Sequence, residues 1–325
     1  MTIAHGPNIG HGFTKYIALD ANGVEYPPVV IASVVARAGR RVQGALTQAD
    51  TVEADGQSWW VGEDALLSPN ARTLLAQERL TDPAFIPALV RAALKQLHSA
   101  GKEPGYCVSG LPATWASDQR IARQLGERLR AATDRYTGIR VIAEPLGLIY
   151  SALLDKHGAI TGDEALSSGT VGVVDLGHHT VDVAAVRKLV PVPSSLNTFS
   201  LGTARPLREI RAQLSARFER ELSILETDLA ARVGTLRVAG TDRPLPAGWD
   251  KPLCENGEAI SARLVEEWGS GSSLDVILVG GGGAEERRLI TEIRRRFPHT
   301  QVVEQPQTAV ARGYARLARR LGGAP

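Results

Sequence analysis

The 325-residue chain is long enough to fold into two domains, each with its own core. Its apolar content of 43% and charged content of 22% are typical of a soluble globular protein. The net charge of +2 gives no overall positive field, so direct binding to a nucleic acid is not expected.

The cysteine content and the hydropathy of the chain point to the cytoplasm. Cys107 and Cys254 are too few for a disulfide framework or a cysteine metal cluster, which favours two reduced thiols. The sequence shows no signal peptide and no apolar run of about 18 residues. We therefore expect a cytoplasmic protein that does not contact a membrane.

The N-terminal part begins with short extended segments. Residues Met1–Gly6 are predicted to be irregular, because Pro7 is unfavourable in a central strand. Ile17–Leu19 is a candidate second arm of a hairpin. Residues 52–62 predict a further hairpin with an Asp-Gly turn, and 63–76 predict an exposed helix.

Helices and strands then alternate. Asp82 and Pro83 predict the start of a helix whose apolar spacing continues to about Ser99. A buried strand is predicted over 105–112, and Ser117 and Asp118 are candidate caps of the next helix. A short strand follows over 139–143.

The C-terminal half repeats this alternation, and two halves that each open on a hairpin suggest a duplicated domain with a cleft between the copies. The pattern predicts an α/β architecture with mainly parallel sheets. The predicted elements are a hairpin over 171–184, a helix over 203–221, a hairpin near 235–246, a helix over 257–268, a strand over 274–279, a helix over 284–297 and a closing helix over 307–321.

The hairpin over 171–184 carries the most informative turn. Backbone N–H groups exposed in a turn can wrap an anion, and Asp175 and Asp182 flank this turn. A carboxylate at a strand end suits a hydrated hard cation such as Mg²⁺. The alternative is that Asp175 is an ordinary turn or capping aspartate.

A related stretch, Asn8–Lys15, lies near the N-terminus. Both stretches read Asp or Asn, an apolar residue, Gly, His and then a Thr. Lys15 at the end of the stretch would contact a β- or γ-phosphate, or would be a solvated surface lysine.

Four consecutive glycines, Gly280–Gly283, connect a predicted strand to a predicted helix. Glycines let a ligand lie against bare backbone, and a helix N-terminus behind them offers free N–H groups. The run is neither a Walker loop nor a Gly-x-Gly-x-x-Gly motif. The alternative is a flexible connection.

Two further groups are candidates for the same site. Glu144, beside a proline at a strand end, could orient an attacking water or could be a simple helix N-terminal carboxylate. His11, His178 and His179 lack the His-x-x-x-His spacing of a zinc site, so phosphate or solvent contacts are favoured over a transition metal.

Taken in order, these motifs resemble the superfamily of actin, the sugar kinases and the heat-shock chaperones. Five segments carry the resemblance, and together they cover most of the chain. Asn8–Lys15 resembles the first phosphate loop, Ile142–Ala152 the first connecting helix, Val174–Asp182 the second phosphate loop, Leu278–Glu285 the adenosine segment and Thr308–Ala315 the second connecting helix.

Within that superfamily the chain resembles the bacterial plasmid-segregation actins, the ParM/StbA-like family. The first loop ends in Gly12-Phe13-Thr14-Lys15, and Ser109-Gly110-Leu111-Pro112 is similar to the strand-end motif of that family. At 325 residues the chain is short for a sugar kinase and lacks the substrate-binding domain of the chaperones.

The resemblance implies a nucleotide site in the cleft. Asp175 would hold a Mg²⁺-bound water, with Asn8 as a second ligand through water, and Glu144 would position the attacking water. The phosphates would be bound by Gly10, His11, Gly12, Phe13, Thr14 and Lys15 from one domain and by Gly177, His178, His179 and Thr180 from the other. The ribose and base would be contacted by Gly280, Gly281, Gly282, Gly283, Gly202 and Thr203.

The resemblance also implies a function: an ATP or GTP hydrolase that polymerises and segregates plasmid DNA through a DNA-binding adaptor protein. Domain I would comprise residues 1–155 and 306–325, and domain II residues 156–305. The family normally has Asp where this chain has Asn8, which would weaken Mg²⁺ binding and turnover. The alternatives are a filament with another cargo, or a non-polymerising ATP-binding regulator or kinase.

Overall fold

The computed structural model describes residues 2–39, 50–98, 102–161 and 164–323. Its strands belong to two large mixed sheets and two small antiparallel ones. The strands are β1 (Ile3–Ile9), β2 (Phe13–Leu19), β3 (Val29–Ala32), β4 (Val35–Arg37), β5 (Thr51–Ala54), β6 (Gln57–Val61), β7 (Gly105–Leu111), β8 (Tyr136–Ala143), β9 (Thr170–Leu176), β10 (Val181–Arg187), β11 (Val190–Pro191), β12 (Asn197–Phe199), β13 (Thr235–Val238), β14 (Thr241–Pro244), β15 (Val276–Gly280) and β16 (Thr300–Val302).

The helices cover the faces of the two large sheets. None of them, in the parts of the chain that are described, is both long and apolar enough to cross a bilayer. The helices are α1 (Glu63–Leu66), α2 (Glu78–Thr81), α3 (Phe85–Gln96), α4 (Gln119–Ala132), α5 (Glu144–Leu153), α6 (Glu164–Ser168), α7 (Ala204–Phe218), α8 (Ile224–Val233), α9 (Lys251–Trp268), α10 (Arg287–Arg296) and α11 (Pro306–Gly322).

The two large sheets have the same topology. The first has the order β3-β2-β1-β7-β8, and the second has the order β11-β10-β9-β15-β16, with β12 also pairing with β10. In each sheet the hairpin strands pair antiparallel and the strands reached by crossovers pair parallel. The prediction of mainly parallel sheets is therefore wrong, because each hairpin contributes antiparallel pairs. The repeated order agrees with the predicted duplication.

The first strand differs from the sequence prediction. Residues Ile3–Gly6 are not irregular but belong to β1, which lies at the centre of its sheet. Proline has no backbone N–H to donate to a neighbouring strand. Pro7 is tolerated in β1 because the parallel pairing with β7 ends at His5 and Cys107, before it reaches Pro7. The Ser109 hydroxyl donates instead to the Pro7 carbonyl at 2.8 Å.

Several predicted helices have different bounds, and the helix predicted over 257–268 begins earlier, at Lys251. The helix predicted over 63–76 ends at Leu66, and Ala65 within it is fully buried rather than exposed. The helix predicted to follow the four glycines at once is preceded by a 3₁₀ turn over Gly282–Glu285 and begins only at Arg287, capped by the Glu286 side chain. The N–H groups nearest the glycines thus belong to the turn.

Helices α5 and α11 cross between the two sheets with their backbones in contact. A Cβ placed on Gly313 of α11 would lie 1.8 Å from the Gly147 carbonyl oxygen of α5. A Cβ on Gly6 of β1 would lie 2.2 Å from the Ala311 carbonyl oxygen of α11. Glycine is therefore required at this crossing, because no side chain fits between the two helices or between α11 and the sheet.

Candidate functional site

The turns of the two equivalent hairpins, β1–β2 and β9–β10, face each other. The ring centroids of His11 and His179 lie 5.5 Å apart, and those of His178 and His179 lie 5.0 Å apart. A Cβ on Gly12 would lie 2.6 Å from the His178 ring. The structure thus brings the two predicted phosphate loops together across one cleft.

The cleft at these turns is narrow and polar. The space between the turns has a volume of about 30 Å³. It is lined by Asn8, Gly10, His11, Gly12, Lys15, Glu144, Asp175, Gly177, His178, His179, Thr180, Asp182, Gly281, Gly282, Gln307 and Val310. Most of the residues predicted for the site therefore surround one space.

Asp175 lies against the backbone of the glycine run. A Cβ on Gly281 would lie 2.2 Å from Oδ1 of Asp175, and Gly281 has a φ of +83°. Both facts require glycine at this position. Burial, and after it the charge of the nearby Asp182, raise the pKa of Asp175 to about 7 against the opposing effect of Lys15.

Glu144 occupies the first position of α5, directly after β8, and is only 8% exposed. Burial, followed by the charge of Asp182, raises the pKa of Glu144 to about 8, whereas Arg79 and Lys15 lower it. Burial lowers the pKa of Lys15, and Asp175 and Glu144 oppose that effect. The cleft therefore holds more buried acid groups than lysines.

This excess of buried carboxyl groups fits a hard divalent cation. Asp175 is 6% exposed, and oxygen ligands are those that Mg²⁺ prefers. The amide oxygen of Asn8, which is 6% exposed and lines the same cleft, adds a neutral donor. Asp175 and Asn8 are therefore the residues of this cleft that could hold Mg²⁺.

The raised pKa of Glu144 predicts a pH-dependent stability. The folded protein keeps a proton on Glu144 up to about pH 8, whereas the unfolded chain loses it near the ordinary value of 4.5. Stability from this group is therefore present below about pH 4.5 and lost as the pH rises towards 8. We expect the melting temperature of the nucleotide-free protein to fall over this range, and to fall less in Glu144→Gln.

The control for this measurement is Glu255→Gln, which removes an exposed carboxylate paired with Lys251 at 3.6 Å. Its melting curve from about pH 5 to 9 should follow that of the parent. If Glu144→Gln also follows the parent at every pH, Glu144 does not titrate as its burial implies.

Asp182 is a site residue to which the sequence gave no role. It is 1% exposed and accepts hydrogen bonds from the Ala113 N–H at 2.8 Å, the Thr180 hydroxyl at 2.8 Å and the Thr198 hydroxyl at 2.6 Å. Ala113 follows β7 of the first sheet, so Asp182 joins the two halves of the molecule. The sequence offered one signal for Asp182, its position opposite Asp175 in the predicted hairpin. Its partner Ala113 lies 69 residues away and could not be identified from the sequence.

Several predicted residues lie behind the turns. Thr14 is buried and its hydroxyl lies 3.0 Å from that of Ser33. The N–H groups of Gly202 and Thr203 donate to the carbonyls of His179 and Gly177, each at 3.2 Å. These residues therefore support the turns and do not line the cleft.

The remaining predicted residues lie on either side of the narrow cleft. Gly280 is buried in β15, and a Cβ there would lie 2.3 Å from Leu148. A Cβ on Gly283 would lie 3.0 Å from Leu176 and from Thr203. Phe13 lines a larger cavity of about 480 Å³ that shares His11, Gly12, His178 and His179 with the cleft. That cavity is large enough for a nucleoside.

Comparisons with known proteins agree with this architecture. Residues 7–147 match the family described as "Actin like proteins N terminal domain". No curated protein sequence matches the chain.

Solved structures resemble the chain along almost its whole length. The archaeal actin homolog Ta0583 in complex with ADP superimposes with a TM-score of 0.74 at 16% identity, covering 98% of this chain and 100% of the other. A ParM from a 15-stranded filament of Clostridium botulinum gives 0.71 at 18% identity, covering 98% and 99%. Bacillus thuringiensis ParM with AMPPNP gives 0.68 at 14% identity, covering 99% of each chain. These similarities confirm the predicted fold class.

Proposed function

We propose, from the actin-like fold of the chain, that the protein binds a nucleoside triphosphate with Mg²⁺ in the cleft and hydrolyses it. The observation that carries the proposal is the pair of equivalent hairpin turns that face each other around buried carboxylates and Lys15. The solved neighbours that were determined with ADP, ATP or AMPPNP support a nucleotide as the ligand.

The residues have three roles in this proposal. The glycines and histidines of the two turns offer backbone N–H groups and imidazoles to the phosphates, and Lys15 neutralises their charge. Asp175 and Asn8 hold Mg²⁺ through water, and Mg²⁺ offsets negative charge on the phosphates when bound. Glu144 orients the attacking water, and its deprotonated form, which becomes populated as the pH approaches 8, can accept the proton of that water.

Closure of the turns would exclude bulk water from the reacting phosphate. The base and ribose would lie against the glycine run, of which Gly281 and Gly282 line the cleft. Because Asn8 lacks the charge of an aspartate, we expect weaker Mg²⁺ binding and slower turnover than a site with two aspartates.

We further propose that the protein assembles into filaments in response to the nucleotide. One neighbour of nearly equal coverage is a ParM in a 15-stranded filament, which supports self-association. Segregation of plasmid DNA through an adaptor protein is the cargo we favour. Another cargo is the alternative, and the near-neutral charge of +2 agrees with an indirect contact to DNA.

The division of the chain into residues 1–155 with 306–325 and residues 156–305 remains our proposal for its domains. It is supported by the two sheets, of which the first uses strands up to Ala143 and the second uses strands from Thr170 onwards. Helix α11 returns to pack on β1, β2 and β7 of the first sheet. The nucleotide site then lies between the two domains.

The test is sedimentation and light scattering with Mg²⁺-ATP, Mg²⁺-GTP, Mg²⁺-ADP, and ATP with a chelator. We expect the protein to pellet at tens of micromolar with a Mg²⁺-triphosphate and to remain in the supernatant with the chelator. Phosphate release without pelleting would favour a non-polymerising regulator or kinase. Neither binding nor release with ATP or GTP would contradict the proposed function.

A further inference from the structure

Helix α11 carries a buried tyrosine, Tyr314, close to the cleft. The side chain is fully buried, and among the described residues its hydroxyl oxygen has no hydrogen-bond partner. Val310, one helical turn before Tyr314 on the same side of α11, lines the cleft. Tyr314 therefore lies on the side of α11 that faces the cleft.

Two glycines make room for the Tyr314 side chain. A Cβ on Gly110 of β7 would lie 1.8 Å from the Tyr314 hydroxyl oxygen. A Cβ on Gly147 of α5 would lie 2.9 Å from Cε1 of the ring. The ring is therefore held between β7 and α5, and its hydroxyl group occupies the space that a side chain at position 110 would need.

Gly110 also shows that the hydroxyl group lies beside Glu144. Its Cβ position is 1.8 Å from the Tyr314 oxygen and 3.2 Å from Cγ of Glu144, so these two atoms are at most 5.0 Å apart. The last torsion of a glutamate side chain is broad, so the carboxyl group turns easily. Its oxygens can therefore come within hydrogen-bond distance of the hydroxyl group.

Both groups are available for this contact. No residue in the described parts of the chain donates a hydrogen bond to the Glu144 carboxyl group. Burial, and after it the charges of Glu144 and Asp175, raise the pKa of Tyr314, so the phenol keeps its proton. A phenol that keeps its proton can donate a hydrogen bond to a neighbouring carboxylate.

We propose that Tyr314 is a positioning residue for hydrolysis: its hydroxyl group donates a hydrogen bond to the Glu144 carboxylate and holds it in the orientation that receives the proton of the attacking water. This inference rests on the proposed function and deepens it. The ring is fixed between Gly110 and Gly147, so the donor has one position. A carboxylate bound to it loses orientations that cannot reach the water.

The test is Tyr314→Phe, which removes the hydroxyl group and keeps the ring. We expect kcat for phosphate release at about pH 8, where part of Glu144 is ionised, to fall about tenfold to hundredfold. That is the effect of losing one hydrogen bond to a charged group. The affinities for ADP and for a non-hydrolysable ATP analogue should change less than about twofold, because the hydroxyl group contacts Glu144 and not the nucleotide.

The stability of Tyr314→Phe is a second readout, which distinguishes positioning from a structural role. In the nucleotide-free protein the hydroxyl group is buried without a partner, and burying an unpaired hydroxyl is unfavourable. The melting temperature of Tyr314→Phe should therefore equal or exceed that of the parent while kcat falls.

The dependence on Glu144 is tested in a second background. Glu144→Ala removes the carboxylate that the hydroxyl group would position. Adding Tyr314→Phe to this variant should therefore change the residual hydrolysis less than about twofold. Single-turnover measurements with excess protein follow such slow hydrolysis.

The matched control is Tyr136→Phe. Tyr136 begins β8, at the opposite end of that strand from Glu144, and its hydroxyl group lies 2.8 Å from that of Tyr16. Losing a paired hydroxyl group should lower the melting temperature and leave kcat unchanged. This pattern is the reverse of the one expected for Tyr314→Phe.

Three results would overturn the proposal. Parent-like kcat in Tyr314→Phe would exclude a role in hydrolysis, and an equal loss in the Glu144→Ala background would exclude a role through Glu144. A lowered melting temperature with weaker binding of both nucleotides would make Tyr314 structural. If the parent itself releases no phosphate from ATP or GTP, the proposed function fails, and the role of Tyr314 fails with it.

Discussion

Replacing Asp175 by asparagine is expected to reduce nucleotide hydrolysis by about a hundredfold to a thousandfold while the protein stays folded. Asp175 is the one buried carboxylate held against the glycine run, and the amide of asparagine keeps its shape but removes its charge. Since Asn8 is already neutral, the variant has no charged group left at either position proposed to hold Mg²⁺. The measurement is phosphate release under single-turnover conditions.

The matched control for this variant is Asp275→Asn. Asp275 lies at the opposite end of the paired strands β9 and β15, where its carboxylate accepts a hydrogen bond from the Thr170 N–H at 2.6 Å. Its loss should leave turnover unchanged. Because burial raises the pKa of Asp175, Asp175→Asn should melt at a temperature equal to or above that of the parent at pH 8. Parent-like hydrolysis in Asp175→Asn would contradict the site assignment.

The largest effect on stability is expected for Gly313→Ala. The added methyl group would lie 1.8 Å from the Gly147 carbonyl oxygen, and backbone atoms of a packed helix cannot move aside as a flexible side chain would. We expect a loss of about 3 kcal/mol or more in the free energy of unfolding, at the upper end of measured overpacking effects. Chemical denaturation measures this loss.

A second glycine provides the control. Gly126 lies inside α4, and a Cβ there would meet only the Arg130 guanidinium at 3.7 Å, an ordinary contact. Gly126→Ala should raise the stability by up to about 1 kcal/mol, because alanine favours the helix. If Gly313→Ala is as stable as Gly126→Ala, α5 and α11 do not cross with their backbones in contact.

The sequence correctly predicted the turns and hairpins that are set by short stretches of chain. The turns near Gly10 and Gly177 and the Asp-Gly hairpin are set by residues a few positions apart, and all three are confirmed. The order of the motifs then predicted the actin-like fold. The roles of the predicted site residues remain predictions, although the structure places most of them around one cleft.

The sequence did not predict the features that depend on contacts between residues far apart in the chain. The strand through Pro7 depends on where pairing with β7 ends, and the crossing of α5 and α11 depends on Gly147 and Gly313 meeting in space. Arg79 belongs to no motif, although it is buried and donates a hydrogen bond to the Ile9 carbonyl before the first turn. Such contacts have no local signature, because chain periodicity reports the face of an element but not its partner.

The duplicated hairpins carry opposite electrical signs. Asn8 lies opposite Lys15 in the first hairpin, whereas Asp175 lies opposite Asp182 at the equivalent pair of the second. The first hairpin therefore gives the cleft a positive side and the second gives it a negative side, although the two hairpins have the same strand pairing. A ligand with a negative tail and an attached metal ion can enter such a field in a single orientation. Exchanging the two pairs of side chains between the hairpins would reverse this polarity and, with it, the preferred orientation of the ligand.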